Sequence, residues 1–196
     1  MEEFSGKCSV LLQAYVSKAR ISSFTLISDT NYIASNAGRV ARALFEMSLK
    51  GGNAPAALKF LRLAKSIDNR FWWFQTPLRA FENELKKNVF VALEDHRTVR
   101  GGGGGQYTTF ERALSLLEMD PDEVGQLCHC FRDGKLIKKH VRYLPKVEVS
   151  VSVQPITKGT LRFRIDLSPN WTWSPRYHGG AEGFWLWVED SENRSK

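Results

Sequence analysis

Hydrophobic residues in this chain keep two different periods, and the change from one to the other falls at Lys146. Beyond it Val147, Val149, Val151 and Val153 alternate with Glu148, Ser150, Ser152 and Gln154, and Leu161, Phe163, Ile165 and Leu167 alternate with Arg162, Arg164 and Asp166. A period of two sets one series on one face of a pleated strand, so two strands joined through Lys158-Gly159 are expected. FWLWVED, from Phe184 to Asp190, reads as a third strand after the loop that holds His178-Gly179-Gly180. Strands with one apolar face need a second sheet, or the preceding helices, to cover that face.

Before Lys146 the spacing is helical. Leu11, Tyr15 and Val16 mark one segment, and Leu58, Leu61, Ala64 and Ile67 mark another. Between them SDTNYIASNAGRVARALFEMSLK, Ser28 to Lys50, reads as one capped helix with two faces. At about 100° per residue, Ile33, Ala37, Val40, Leu44 and Ser48 form a core stripe, while Tyr32, Ser35, Asn36, Arg39, Arg42, Ala43 and Glu46 form a polar one. An aromatic ring, an amide and two guanidiniums on one face can stack on and hydrogen-bond to single-stranded nucleic acid; the same pattern also suits a solvated face. Gly51-Gly52-Asn53 breaks the chain before Pro55, which suits the first turn of the next helix. In FWWFQTPLRAF the rings crowd against Pro77, and Trp72 and Trp73 are expected to pack into the bundle.

The segment from Thr109 to Pro145 reads as a helix pair: one arm through Leu114 and Leu117, a second from Pro121 to Phe131, then a turn at Asp133-Gly134 into LIKKHVRYLP. The helix opened by Gly134 carries Lys135, Lys138, Lys139 and Arg142, so its amino end and its charges both suit a phosphate backbone. The organisation is therefore α+β: a helical bundle over 1–90 with the helix at 28–50, a glycine-rich linker or insertion over 91–108, a helix-loop-helix over 109–146, and a partial β-sandwich over 147–196.

Several chemistries are excluded. Gly101 to Gly105 is followed by Gln106-Tyr107 instead of a Lys-Ser or Lys-Thr entering a helix, so it is no phosphate-binding loop. Asp122-Glu123 follows Asp120-Pro121, a helix cap, and is no nucleotide-hydrolysis motif. Cys128, His129 and Cys130 are adjacent and point different ways on a helix, which argues against a shared metal. Three cysteines without a CxxC pair fit a reducing compartment, the nucleus or cytosol. No catalytic or metal-ligating residue stands out. The excess of 28 Lys and Arg over 21 Asp and Glu gives +7 and favours polyanionic partners. No run is long and apolar enough to span a bilayer, so no membrane is expected.

Four strings in order, LLQAYVSKARISSFTLISDTNYIASNAGRVARALFE, IDNRFWWFQTPLRAF, LPKVEVSVSVQPITKGTLR and HGGAEGFWLWVED, resemble the accessory Brl, or Sec-sixty-three-like, domain of Ski-two-like helicases. The branch of the activating signal cointegrator complex helicase subunit is most similar, then that of the large spliceosomal RNA helicase. The resemblance implies a helical bundle, a helix-loop-helix and the start of an immunoglobulin- or fibronectin type III-like sandwich. It implies that 28–50 is the ratchet helix lining the channel behind the motor domains. Tyr32 and Arg39 fall on the positions that touch the translocating strand in related archaeal helicases. The nucleic-acid contacts expected on this chain are thus Tyr32, Asn36, Arg39, Arg42, Lys135, Lys138 and Lys139. The implied partners are single-stranded nucleic acid, the helicase motor domains of the same parent chain and other subunits of a helicase complex. ATP and Mg are expected only in the motor domains, with no cofactor in this chain, which is no enzyme on its own. Both motor domains and the remaining sandwich strands are absent, so the chain reads as a fragment or partial gene model. The related alternative is a protein-interaction module of the endoplasmic-reticulum translocon, against which the LISD and PLR strings stand. Gly51-Gly52-Asn53 replaces a bulkier basic and aromatic turn, and Ala80 stands where glutamine is common.

Overall fold

A computed structural model describes residues 4–95, 108–186 and 188. The chain divides into two compact units, residues 1–75 with 184–196, and residues 76–183. The division falls between Gln75 and Thr76, whereas the sequence places the end of the bundle at 90.

The first unit is built on α1 (Phe4–Val16), α2 (Phe24–Lys50) and α3 (Ala54–Asn69). Pro55 sits in the first turn of α3, as the sequence predicts, and Asn53, at the end of the expected break, caps the helix by accepting the Ala56 N–H at 3.1 Å. The start of α2 is a correction. The helix begins at Phe24, after an extended Ser23, so Ser28, where the sequence sets its start, and the Asp29 and Thr30 that follow lie inside it. Those polar groups have other partners: Asp29 pairs with Lys7 of α1 at 2.7 Å, and buried Thr30 donates its hydroxyl to the Leu26 carbonyl at 2.6 Å.

The core stripe of α2 is also corrected. Val40 is 57% exposed and Leu44 36%, while Thr30, Ala34, Gly38, Ala41 and Phe45 are buried. Small side chains let helices approach closely, so residue size decided the seam where hydropathy pointed to its neighbour. Ala41 meets Val16, Ala64 and Ile67 in one cluster, and Phe45 meets Ala57 and Leu61 in another. Trp72 packs on the first cluster and donates its indole N–H to Ser17 Oγ at 3.0 Å, as expected of a core ring. Trp73 is instead 52% exposed, lying edge-on to Trp72 and Phe74 on the surface.

The second unit holds a 3₁₀ turn (Pro77–Phe81), α4 (Lys87–Glu94), α5 (Thr109–Ser115), α6 (Pro121–Leu127), α7 (Gly134–Val141), β1 (Val147–Thr157), β2 (Thr160–Pro169) and α8 (Pro175–His178). Leu78, Phe81, Leu93, Leu116, Val124 and Ile137 belong to one core. Glu94 closes the amino end, taking the Arg79 guanidinium through both oxygens at 2.6 and 2.7 Å and the Thr76 N–H at 3.0 Å. Thr108 and Glu111 cap α5 reciprocally, and Glu123 reaches back to the Asp120 N–H at 3.1 Å. Gly134 is where α7 crosses α6. A Cβ there would lie 1.7 Å from the Pro121 carbonyl oxygen, so only glycine permits the crossing.

β1 and β2 form an antiparallel hairpin, with Val149 opposite Leu167, Val151 opposite Ile165 and Val153 opposite Phe163, and an irregularity between Pro155 and Thr157. Its apolar side chains are largely open: Val149, Val151, Val153, Phe163 and Leu167 are each more than half exposed. The third strand is not formed at Phe184–Leu186, which carry no regular structure; the rest of that string lies almost entirely outside the described residues. Trp185 instead meets Phe45 edge-on at 5.0 Å within the first unit, so a large aromatic ring found a lateral partner on the bundle. The fold class is α+β. Gly101 to Gly105 lie outside the described residues.

Candidate nucleic-acid interface

Seven residues were expected to meet nucleic acid, and they fall in two places. Four are on α2. Tyr32 is 74% exposed. Its carbonyl accepts both Ser35 Oγ at 2.9 Å and Asn36 Nδ2 at 2.8 Å, and Asn36 Oδ1 accepts the Arg39 guanidinium at 2.5 Å. One helical turn therefore carries a relay that aims Arg39 along the helix surface. Arg42 is placed differently: its guanidinium pairs with Asp68 of α3 at 2.6 Å. The two arginines border a cleft of about 340 Å³ whose lining includes Tyr15, Asn31, Ser35 and Asp68. Tyr15 carries Arg70 over its ring, the guanidinium carbon 4.5 Å from the centroid.

The other three residues are on α7. Lys135 and Lys139 are exposed, and with Lys138, Arg142 and Pro121 they line a cleft of about 220 Å³ that has no acidic wall among the described residues. Lys138 donates its ammonium to the Met119 carbonyl, so part of its hydrogen bonding is spent at the helix crossing. The amino end of α7 is corrected. Gly134 is buried against Pro121, and Asp133 before it is held by Lys86 at 2.6 Å. That end is closed by packing, so the side-chain charges alone remain for a phosphate.

A carboxylate the sequence did not flag anchors the second unit. Glu84 accepts His140 Nε2 at 3.0 Å, the Tyr177 hydroxyl at 2.9 Å and Arg176 at 2.8 Å. These bonds, His140's foremost and Tyr177's next, hold its carboxyl below the usual carboxylate range. His140 is buried with Phe81 and Tyr177 about it. The site is structural: it ties α8 to α7 and the 3₁₀ turn. No sequence signal marks Glu84, because its partners lie 56 and 93 residues away. Asp68 was within a recognised string yet carried no role; only the packing of α3 on α2 brings it to Arg42.

Buried Cys128 has its thiol pushed up to about 11 by burial and by Cys130 beside it, so it stays a neutral core residue. Among the described residues no group of three or more His, Cys, Asp or Glu is placed to hold a metal ion. Among the same residues no helix is long and apolar enough to cross a membrane.

The chain is 38% identical over 193 residues to the U5 small nuclear ribonucleoprotein 200 kDa helicase of Drosophila melanogaster, covering 98% of this chain and 8% of that protein. It is 36% identical over 194 residues to Activating signal cointegrator 1 complex subunit 3 of Bos taurus, again 98% of this chain and 8% of the relative. It is 35% identical over 188 residues to the DExH-box ATP-dependent RNA helicase DExH14 of Arabidopsis thaliana, 96% of this chain and 8% of that helicase. The model of the Sec63 Brl domain matches residues 1–195, and the chain belongs to that family.

Proposed function

We propose that this chain is a non-catalytic accessory module of an ATP-dependent nucleic-acid helicase, which guides the translocating single strand and braces the motor domains. The observation that carries the reading is the row of Tyr32, Asn36 and Arg39 on α2, which presents a ring and an oriented guanidinium seven residues apart. Beside that row Val40, Leu44 and Met47 form an exposed apolar stripe on the same helix, which suits a motor-domain contact. The open apolar face of the hairpin suits the first two strands of a sandwich. ATP and Mg would belong to the motor domains of the parent. The partners are then single-stranded nucleic acid, those motor domains and other subunits of the parent's complex, in the nucleus or cytosol. The relatives' names, a helicase of a small nuclear ribonucleoprotein, an ATP-dependent RNA helicase and a subunit of a cointegrator complex, support this.

The test is made in the parent helicase. Replacing Arg39 and Arg42 by glutamate should reduce unwinding of a tailed duplex at least tenfold and weaken single-strand affinity, with the melting of this module preserved. Unchanged unwinding and unchanged affinity would overturn the guiding role.

A further inference from the structure

The basic cleft on α7 has a neighbour. A second cleft of about 440 Å³ lies beyond Arg142, walled by Leu117, Val141, Leu144 and Trp171, with Lys146 and Asn170 also lining it. Arg142 lines both. The larger volume is within the range of about 300–1,000 Å³ usual for small-ligand clefts. The smaller one is cationic, and the larger sets the Trp171 indole and apolar side chains beside the polar groups of Arg142, Lys146, Asn170 and Thr172.

The geometry here is built into the backbone. The Asn170 N–H donates to the Lys146 carbonyl at 2.8 Å, and the Thr172 N–H donates to the Arg142 carbonyl at 2.8 Å. Trp171, between those two anchors, is held beside the end of α7. His178 Nε2 meets the Tyr143 carbonyl at 2.7 Å, which fixes the following segment too. Asn170 Nδ2 is spent on Glu148 at 2.6 Å, which removes one donor from the cleft and leaves Arg142 and Lys146 as its cationic lining.

We propose that the paired clefts seat one nucleotide of a single strand, its phosphate over Lys135, Lys139 and Arg142 and its base against Trp171. Phosphate needs unspent cations, and none of the ion pairs among the described residues involves Lys135, Lys139 or Arg142. A base needs an aromatic side chain in a cleft wide enough to admit a ring, and it must be unpaired to enter one. Contact with an aromatic face tolerates any base. The proposal rests on the strand-guiding reading and adds to it a second contact, in the other unit, that α2 does not supply.

The whole chain is titrated by fluorescence anisotropy with a labelled twelve-nucleotide uridine oligomer and with an abasic oligomer of the same length. The wild type should bind the base-bearing oligomer about tenfold more tightly. Trp171→Ala should reduce that preference severalfold below the wild type and Trp171→Phe should keep it, while Arg142→Gln should weaken both oligomers equally. Circular dichroism and the melting temperature confirm the fold of each variant, and the wild-type comparison needs no variant at all. Equal wild-type affinity for the two oligomers overturns the base seat and leaves strand guidance standing. Binding of neither overturns strand guidance itself. An acidic peptide that displaces the oligomer at equal concentration overturns the assignment to nucleic acid.

Discussion

α2 and α7 both carry basic residues at helical spacing, yet they differ in what those residues already hold. Arg42 is paired with Asp68 and Arg39 is steered by Asn36, so the charge of α2 is partly answered within the bundle. Lys135, Lys139 and Arg142 border a cleft with no acidic lining among the described residues. The two helices look alike as strings. Only packing shows that one offers oriented, softened contacts and the other unspent charge.

The most severe way to probe the difference is steric. Gly134→Ala puts a methyl group 1.7 Å from the Pro121 carbonyl oxygen, a backbone atom that cannot swing aside. It should cost about 3 kcal/mol or more of stability, measured by urea unfolding. Gly38→Ala in α2 meets Asp68 Oδ1 at 3.3 Å, a side-chain atom that can move, and should cost under about 1 kcal/mol. Equal losses would mean that the tight crossing of α6 and α7 does not hold.

Next in size is the salt response. Converting Lys135, Lys139 and Arg142 to glutamine should lower the slope of log affinity against log salt by about 2, near 0.7 per lost contact on a single strand. Arg39→Gln with Arg42→Gln should change it by about 1 or less, because one of those charges is already answered by Asp68. A larger change from the α2 pair would reverse the ranking of the two helices.

A pH experiment isolates the latch that holds α8 to α7. Glu84 has a lowered folded pKa, so its contribution is present above the unfolded carboxylate value of about 4.3 and is lost as pH falls through the folded value. The wild type should therefore melt higher than Glu84→Gln at pH 7, and the gap should close as pH drops below about 4. A gap that does not change with pH would remove the carboxylate from the latch.

The smallest effect is a gain. Asp68→Asn frees Arg42 at the cost of an exposed ion pair worth about 0.2–1 kcal/mol. Single-strand affinity should rise about two- to fivefold in the anisotropy titration, and a fall would show that Asp68 positions Arg42 for the strand.

Legibility in the sequence followed the range of the interactions. Helix periods, the Asn53-Pro55 start and the β1–β2 alternation are local, and all were readable. The seam of α2 was misplaced by one step because Ala34, Gly38 and Ala41 serve closeness, which hydropathy does not record. Trp73 was expected in the core because a ring's size suggests burial, while its neighbour Trp72 took the available space. Tyr32 and Arg39 were named from the helix face. Asp68, Glu84 and Trp171 were not, since each gains its role from residues far away in the chain.

The two backbone bonds that pin Asn170 and Thr172 also have a mechanical reading. β1 starts at Val147, shortly after α7, and runs eleven residues, a span of about 35 Å, and the chain leaving β2 bonds the linker between α7 and β1 through Asn170 and Thr172. A force applied at the Lys158-Gly159 turn would travel down both strands as through a lever and arrive, by way of the Lys146 and Arg142 carbonyls, at the last turn of α7. The hairpin is then a long arm on a short fulcrum, so a small swing at its tip tilts the helix that carries the free lysines.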